Sequence, residues 1–438
     1  MAAPDVSHVQ ARFFTKQSQY SVADSPFSVP ATVRVHDLSS LINKLLNAEK
    51  AKDEARNISF DFLIQGEFLR LPLGKHMEEK NISTETVVEI EYLEKQPAPK
   101  PVGSILHDDW VSSIQGCKDL VISGSYDKSV RVWNLNGENL VTMTQHTEPV
   151  KAVAWINRDE AVSHMVSGSH DQTLLIWEWN SELNKVTCLY SCRGHARSVD
   201  CVAVDSSCTR FCSGSFDKML KIWSASTDDT SEDTEDTDVK SRKRKRTDEW
   251  KPITRTPLMT LEGHKEAISS VLWSDVNEVC TASWDHTIKL WDVQEGVHKK
   301  TLTGTKAILS ISYSTMSQLI ASGSVDRHVR LWDPRVEDGA VVKCSLSNHQ
   351  GWVTSVAWSP VNQHQLISGS YDKTIKLWDT RSPKAPLYNM SGLEDRVLAV
   401  DWSIPEVLLC AGVDNCVHAF KASNAEPLQE MEQESLEG

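Results

Sequence analysis

A chain of 438 residues is too long for one ordinary hydrophobic core, so its length predicts two or three domains. Apolar residues make up 40% and charged residues 24%, as in ordinary globular proteins, and no apolar run approaches the roughly 20 residues that span a bilayer. The N-terminus also lacks the charged-then-apolar design of a signal peptide. The net charge of −14 argues against a general phosphate-binding surface, because clustered Lys and Arg carry non-specific nucleic-acid binding.

Residues 8–94 predict a small mixed domain. VQARFF and FSVPATV predict a hairpin, FDFLIQGEFL predicts two strands joined by a Gln-Gly turn, and VVEIEYL predicts a last strand. We expect Asp37 to cap a helix whose apolar stripe comprises Leu38, Leu41, Ile42, Leu45 and Leu46. The order ββαββ within fewer than 90 residues predicts an α+β fold of the ubiquitin-like β-grasp type.

Residues 98–421 repeat a frame of Ser-x-Ser-x-Asp with a Trp six residues after the Asp, and most units have a His upstream. Five units carry all three residues: His107, Asp127 and Trp133; His146, Asp171 and Trp177; His195, Asp217 and Trp223; His264, Asp285 and Trp291; His349, Asp372 and Trp378. Asp326 and Trp332 mark a sixth unit, and Asp414 with Phe420 marks a seventh. Seven units in one frame indicate a single repeated architecture.

A hydrogen-bond relay explains why these residue types recur together. An Asp in a tight turn can hold a His imidazole, which reaches a Ser or Thr hydroxyl and then a Trp indole N–H. The segments between are short, β-branched and alternating, as in KSVRVW and KTIKLW. The pattern resembles the WD-repeat family, which implies an all-β seven-bladed β-propeller. Repeated copies of a Ser–His–Asp set indicate structure rather than catalysis, because a nucleophile needs one exposed site.

Two units depart from the frame, and the two ends of the repeat region should meet. Thr305 replaces the His of the fifth unit and Leu393 that of the seventh, so we expect no relay in either. An outer strand precedes each His and belongs to the previous blade, as PLMTL does before His264. PVGSIL before His107 should therefore complete the seventh blade and close the ring.

An acidic-then-basic insertion interrupts the ring after the third blade. Trp133 and Trp177 are 44 residues apart, whereas Trp223 and Trp291 are 68 apart, which places an insertion at 226–252 within one loop. Its composition predicts disorder, as does that of the acidic tail 422–438. KSRKRKR indicates a nuclear localisation signal, with a solvated charge run as the alternative. The signal residues would be Lys240, Arg242, Lys243, Arg244, Lys245 and Arg246.

Ten Cys are scattered through the chain. Two close groups could be half of a zinc site: Cys188, Cys192 and His195, and Cys208 with Cys212. The core interpretation is stronger, because Cys212 fills the slot before Asp217 that Ile122 fills before Asp127. We predict reduced thiols, no bound metal and no cofactor.

The N-terminal pattern followed by WD repeats resembles one family of ribosome-biogenesis factors. RFFTK, DFLIQGEFLR and VVEIEY, placed before the repeats, are similar to the WD-repeat factor that joins Pescadillo and the block-of-proliferation protein in the PeBoW complex. The Notchless family shares the ubiquitin-like domain but carries eight blades, so seven units favour the first. The resemblance implies a non-enzymatic assembly factor for the large ribosomal subunit and pre-rRNA maturation, in the nucleolus and nucleoplasm, with indirect contact to pre-ribosomal RNA and no membrane or small-molecule partner.

The same resemblance implies a role for one acidic residue. In these families the ubiquitin-like domain docks on the metal-ion-dependent adhesion site of the AAA ATPase midasin, which then releases the factor from pre-ribosomes. The matching residue in NISTETVVEIEY is Glu85, whose carboxylate would complete the shell of the partner's metal ion. The alternative is an ordinary solvated Glu.

Two other functions compete with this interpretation. WDPR at 332–335 and WDTR at 378–381 resemble the WDxR signature of substrate receptors for cullin–RING ubiquitin ligases. Because Trp-Asp belongs to every good repeat, this signal is weak. Direct RNA binding is the third possibility, and the acidic charge balance opposes it as the main activity.

Overall fold

A computed structural model describes residues 8–47, 58–83, 86–159, 161–227, 252–336 and 342–422. The chain divides into two compact units, residues 1–98 and residues 99–438. Across the described ranges, no helix combines the length and the apolar character that crossing a membrane requires.

The N-terminal unit is a five-stranded sheet with two α-helices. Its elements are β1 (His8–Phe14), a 3-10 turn (Ser18–Tyr20), β2 (Phe27–Pro30), α1 (Val35–Asn47), β3 (Phe60–Ile64), β4 (Glu67–Phe68), α2 (Leu73–Glu79) and β5 (Val88–Glu94). The strand order is β2-β1-β5-β3-β4, with β1 and β5 parallel and the other neighbours antiparallel. Leu38 and Ile42 of α1 are buried in one core with Phe62 and Ile90 of the sheet. The predicted β-grasp is confirmed.

Two details of this unit differ from the sequence expectation. The helix begins at Val35, so Asp37 lies in its first turn and is not the N-cap. The Asp37 carboxylate instead accepts a hydrogen bond from the Arg34 backbone N–H at 3.1 Å. The short helix α2 was not predicted, because seven residues hold too little periodicity. Between β3 and β4, Gln65 (φ 51°) and Gly66 (φ 79°) form the expected tight turn.

The second unit begins with β6 (Lys100–Leu106), which returns to the far end of the ring. From the central axis outward, blade 1 comprises β7 (Val111–Cys117), β8 (Leu120–Ser125), β9 (Val130–Asn134) and β10 (Asn139–Met143). Blade 2 comprises β11 (Val150–Arg158), β12 (Val162–Ser169), β13 (Thr173–Asn180) and β14 (Lys185–Arg193), with β18 (Ile253–Arg255) as a fifth strand. Blade 3 comprises β15 (Val199–Val204), β16 (Arg210–Ser215), β17 (Leu220–Ser224) and β19 (Met259–Leu261).

The remaining four blades follow the same plan. Blade 4 comprises β20 (Ile268–Asp275), β21 (Glu278–Ser283), β22 (Thr287–Asp292) and β23 (Val297–Thr303). Blade 5 comprises β24 (Ile308–Ser314), β25 (Leu319–Ser324), β26 (His328–Trp332) and β27 (Val342–Ser347). Blade 6 comprises β28 (Val353–Trp358), β29 (Gln365–Ser370), β30 (Ile375–Asp379) and β31 (Tyr388–Met390). Blade 7 comprises β32 (Val397–Asp401), β33 (Val407–Gly412), β34 (Cys416–Lys421) and β6.

The ring closes between the first and the last strands of the propeller. β6 pairs antiparallel with β34, and β7 of blade 1 packs beside β32 of blade 7. Across this seam, Gly116 N–H donates to Asp401 Oδ2 at 2.9 Å. The described strands form seven propeller sheets, so the predicted seven-bladed propeller is confirmed.

Small residues let neighbouring blades approach closely. A Cβ added to Gly369 would stand 2.5 Å from Val397 Cγ1 of the next blade, and one added to Gly168 would stand 2.8 Å from Val199 Cγ1. The Gly within Ser-Gly-Ser is therefore required by packing between blades. Apolar clusters fill the wedges, as where Ile176 of blade 2 meets Phe211 and Trp223 of blade 3.

Candidate functional site

Four blades form the complete hydrogen-bond relay. In blade 6, His349 Nδ1 lies 2.8 Å from Asp372 Oδ2, and its Nε2 lies 2.7 Å from Ser368 Oγ, to which Trp378 Nε1 donates at 2.7 Å. The same contacts link His146, Ser167, Asp171 and Trp177; His195, Ser213, Asp217 and Trp223; and His264, Thr281, Asp285 and Trp291. All four imidazoles are buried, so each relay holds a loop against a turn and exposes no nucleophile.

Blade 1 corrects the sequence expectation. His107 Nε2 lies 3.0 Å from Ser123 Oγ, but its Nδ1 is buried without a hydrogen-bond partner and does not reach Asp127. Arg131 occupies that carboxylate instead, donating to Asp127 Oδ2 at 2.9 Å and to Asp108 Oδ2 at 2.5 Å. A single guanidinium nitrogen, Nη2, bridges the two carboxylates and so takes the place of the imidazole on Asp127. Burial and the Arg131 charge lower the pKa of His107 to about 4.

Blades 5 and 7 lack the His, as expected from the sequence. In blade 5, Thr305 Oγ1 donates to Asp326 at 2.7 Å, and Arg330 Nη2 lies 2.6 Å from the same carboxylate. In blade 7, Leu393 packs against an apolar cluster that contains Phe420. Each turn Asp therefore finds a partner even where the relay is incomplete.

The loops that the relays hold form one face of the propeller. We call it the relay face. It consists of the loop before the innermost strand of each blade, where the relay His lies, and the turn between the second and third strands, where the relay Asp lies. It displays a chain of neighbouring rings and cations, here called the aromatic arc: Trp352, Tyr371, Arg396, Trp110, Tyr126 and His170. The arc crosses blades 6, 7, 1 and 2.

Ring–ring contacts join the two halves of the arc internally, and the Arg396 guanidinium links the halves through cation–π contacts. Trp352 stacks on Tyr371 with centroids 5.5 Å apart, and the Arg396 guanidinium lies 5.3 Å from Tyr371 and 5.9 Å from Trp110. Trp110 lies 5.4 Å from Tyr126, which lies 6.0 Å from His170. Trp110 is 39% exposed and Trp352 is 46% exposed. Exposed Trp in a rigid array is a typical protein-binding feature.

Charges of both signs border the arc. Lys151 lies 5.3 Å above the Tyr126 ring, and Asp108 and Asp395 lie in the same loops as the arc residues. Burial raises the pKa of Asp200 on β15, while the Ser198 hydroxyl, which donates to it at 2.7 Å, acts in the opposite direction. The arc is therefore an apolar surface bordered by acidic and basic side chains, and it is not a continuous row of basic side chains.

A second group extends the relay face on blades 3 and 4. Arg197 lies 5.5 Å above the Phe216 ring, and Phe216 lies 6.3 Å from Trp284. Trp284 is 51% exposed. The sequence missed both groups; their signal is an aromatic directly before the frame Asp, as in SGSYDK, SGSFDK and TASWDH.

The N-terminal unit carries a groove of about 380 Å³ beside the start of β5. Phe14, Gln65, Ile82 and Val87 line it, and Phe14 and Val87 are 40% and 47% exposed. Residues 82 and 86–89 border the groove on both sides of position 85 in the chain. Glu85 itself lies outside the described residues.

The basic run 240–246 and the rest of the insertion from 228 to 251 also lie outside the described residues, but both ends of the insertion are fixed. β18 pairs in parallel with Tyr190–Cys192 of β14. Arg255 lies 3.6 Å above the Tyr190 ring and donates to the carbonyl oxygens of Ser224 and Ser226, each at 2.9 Å. This anchor was not predicted. Of the acidic tail 422–438, only Ala422 is described.

The two WDxR arginines fold back on their own repeats. Arg335 donates to both carboxylate oxygens of Asp333, and Arg381 does the same to Asp379, at 2.7–2.9 Å. The Arg381 side chain is only 21% exposed. Each Arg therefore has a local structural role.

The cysteine groups considered for zinc lack ligand geometry. Cys188 and Cys192 are buried core thiols whose pKa values burial raises to about 12, and His195 is committed to its relay. Burial raises the pKa of Cys212 above its usual range, and its neighbour in the sequence, Cys208, is exposed. Within the described ranges, neither group brings its side chains together as metal ligands.

Comparison with protein families gives two matches. Residues 9–77 match the NLE (NUC135) domain. Six stretches match the WD domain, G-beta repeat, namely 99–134, 137–178, 186–224, 255–292, 296–333 and 341–379. Blade 7 beyond β6 lies outside these stretches, in keeping with its missing His and Trp.

Several proteins that are similar over nearly the whole chain share one name. The "Ribosome biogenesis protein WDR12 homolog" of Nematostella vectensis is 49% identical over 94% of this chain and 98% of its own length. The protein of that name in Ixodes scapularis is 49% identical over 95% and 99%, and that in Aedes aegypti is 44% identical over 95% and 96%.

Proposed function

The chain belongs to the family of WDR12 ribosome biogenesis proteins, and from this premise we propose that it is a non-catalytic assembly factor of the large ribosomal subunit. Its propeller binds the block-of-proliferation protein within a complex that also contains Pescadillo. Its ubiquitin-like domain engages midasin, so that the ATPase can release the factor from pre-ribosomal particles. Its place of action is the nucleolus and nucleoplasm.

The aromatic arc is the observation that carries the scaffold proposal. Trp110 and Trp352 are 39% and 46% exposed although their loops are held in place. The complete relay of blade 6 holds the loop of Trp352, and a backbone hydrogen bond of 2.8 Å from Tyr126 N–H to the Trp110 carbonyl holds the other. Large rings fixed in place lose little conformational entropy on binding, so they make efficient anchors for a protein partner. We assign the partner surface of the propeller to the relay face.

The charge around the arc favours protein over RNA as its occupant. Stacked rings and cations also suit single-stranded RNA. A binding track for RNA needs phosphate neutralisation along its length. Beside the arc, the guanidinium groups of Arg131 and Arg396 already face the carboxylates of Asp108 and Asp395. A protein surface with its own charges of both signs fits better.

The groove on the ubiquitin-like domain supports the midasin proposal. Exposed Phe14 and Val87 offer an apolar contact in this groove, whose lining includes residues on both sides of position 85 in the chain. A single carboxylate on a partner's metal ion gives direction but limited area, so an adjoining apolar contact strengthens binding. Because the propeller and the ubiquitin-like domain bind different partners in this proposal, a mutation in one unit should leave the interaction of the other unit intact.

Two sets of variants in the full-length chain, each designed to disrupt one interaction, test the propeller proposal and the midasin proposal separately. We expect Trp110→Ala with Trp352→Ala to weaken binding of purified block-of-proliferation protein by roughly 1,000-fold, because truncating two anchor residues costs about 2 kcal/mol each. Midasin binding should stay unchanged. Glu85→Ala should abolish binding to the adhesion-site domain of midasin and leave the first interaction intact.

Matched control variants show whether a loss of binding comes from a lost contact or from a folding defect. Leu183 is 73% exposed in the turn between β13 and β14, at the opposite end of the blade, so Leu183→Ala should bind both partners normally. Glu78→Ala, on the exposed side of α2, is the control for Glu85. Unchanged affinity of the double Trp variant would refute the relay-face assignment, and unchanged midasin binding by Glu85→Ala would refute the metal contact.

A further inference from the structure

The seven blades provide an internal comparison at the turn after the second strand. Two residues after the frame Asp, the first six blades carry Ser129, Thr173, Met219, Thr287, His328 and Thr374. Four residues after it they carry Arg131, Leu175, Lys221, Lys289, Arg330 and Lys376. In blade 7 these positions are Cys416 and His418, following Asp414. Only this blade places metal-ligating side chains at all three positions.

The three side chains converge. The ligand atoms of Asp414, Cys416 and His418 all lie within 4.8 Å of one another, and His418 Nε2 is 2.9 Å from Asp414 Oδ2. A tetrahedral zinc ion holds its ligand atoms about 3.3–3.8 Å apart, given Zn–S and Zn–N lengths of about 2.3 and 2.0 Å. Small side-chain rotations are therefore enough to bring the three ligand atoms to zinc-binding distances. The Asp414 side chain is 5% exposed and that of His418 is 22% exposed, so the group is sheltered but reachable.

The partners of Asp414 come from its own turn: His418 Nε2 lies 2.9 Å from Oδ2, and the Cys416 backbone N–H donates to Oδ1 at 3.1 Å. The relay His that would occupy Asp414 is replaced by Leu393, which packs with the apolar cluster. In the same turn, Asn415 Oδ1 is buried without a hydrogen-bond partner. A cation is the species that such a site favours.

We propose that Asp414, Cys416 and His418 bind one zinc ion, with the fourth position open to water or to a donor from a bound partner. Cys416 binds as thiolate, releasing its proton to solvent, and His418 binds through Nε2 with its proton on Nδ1. The ion replaces the hydrogen bond between Asp414 and His418. It ties the turn to β34 at the seam where Cys416 pairs with Leu106 of β6, and so substitutes for the missing relay of blade 7.

Metal titration of the full-length, chelator-treated protein tests this proposal. Zinc should bind with a stoichiometry of one and raise the thermal unfolding midpoint by about 2–4 °C at saturation, because binding to the folded state alone adds stability. Cobalt should produce the thiolate-to-metal absorption and the visible bands of a tetrahedral site. Absence of both signals would overturn the proposal.

Sister blades supply variants that keep the fold. Cys416→Thr with His418→Lys copies Thr374 and Lys376 of blade 6, so the double variant should fold, as its circular dichroism would show, yet lose the zinc shift and the cobalt absorption. Cys344→Ser, at a half-buried cysteine on β27, should retain both. Zinc bound by the double variant with unchanged affinity would place the ion elsewhere and refute the site.

Discussion

The turn after the second strand of each blade contains a carboxylate that needs a partner, and the residues nearby decide which partner it takes. His serves in blades 2, 3, 4 and 6. Arg131 takes its place in blade 1 and Arg330 in blade 5. The spacing of His, Asp and Trp predicts where a relay can form, but it does not predict that an Arg will bind the Asp carboxylate instead of the His. Lys at the same position leaves the His in place in blades 3, 4 and 6. These Lys side chains donate instead to Thr260, Thr301 and Asn389 on the neighbouring outer strands.

The relay carboxylates predict loss of stability in acid. Burial alone would raise the pKa of Asp171, but the hydrogen bond and charge of His146, with Thr173, lower it from 3.8 to about 2. Asp217 is lowered to about 2 in the same way by His195. A carboxyl whose pKa is lower in the folded state stabilises the fold above its unfolded pKa, and that stabilisation is lost as the pH falls through the folded value. The free energy of unfolding should therefore drop between about pH 4 and pH 2.

Asp171→Asn tests this assignment. The variant should unfold at lower temperature than the wild type at pH 7, and its midpoint should fall less steeply between about pH 4 and pH 2, because one depressed carboxyl is gone. Asp109→Asn, at a half-buried loop position outside the relays, should leave the profile unchanged. Parallel acid profiles for wild type and Asp171→Asn, measured by circular dichroism melting, would contradict the relay as the source.

At the scale of elements, periodicity predicts long strands well and misses short pieces defined by distant partners. The hairpin of β1 and β2, the turn between β3 and β4 and the closing strand β6 all follow from local patterns. β18 has three residues and pairs with a strand more than 60 positions earlier, so no window of sequence contains its signal. It nevertheless fixes the point at which the insertion rejoins the propeller.

Arg255 should govern the stability of that anchor. Its contact over Tyr190 and its two hydrogen bonds at 2.9 Å would be lost in Arg255→Ala, and together such contacts are worth about 2–3 kcal/mol. We expect amide hydrogen exchange of residues 253–255 to accelerate by roughly 30–150-fold, with little change in the global unfolding midpoint. Arg193→Ala, at an exposed position on β14, is the control. Unchanged exchange at β18 would show that backbone pairing alone holds it.

At the scale of the molecule, the repeat frame determines both the blade number and the location of what interrupts it. Seven Asp positions predicted seven sheets, and the 68-residue spacing between Trp223 and Trp291 placed the insertion between strands of one ring. Recognition surfaces were harder to predict, because the aromatic arc joins loops of four blades and exists only after folding. Repetition specifies the scaffold, whereas function depends on the positions where blades differ.

Because β17 and β18 fix both ends of the insertion, its composition can change without disturbing the ring, and we expect its basic run to act as an independent address. Changing Lys243, Arg244 and Lys245 to Ala should slow nuclear accumulation of a fluorescent fusion and leave the thermal midpoint of the purified chain unaltered. Changing Asp233, Glu235 and Asp236 to Ala is the matched control, since it alters the same insertion by three charges of opposite sign and should not slow import. Normal import of the basic variant would mean that the protein enters the nucleus bound to a partner. A chain that carries both the basic-run changes and the double Trp change of the relay face would then remain in the cytoplasm.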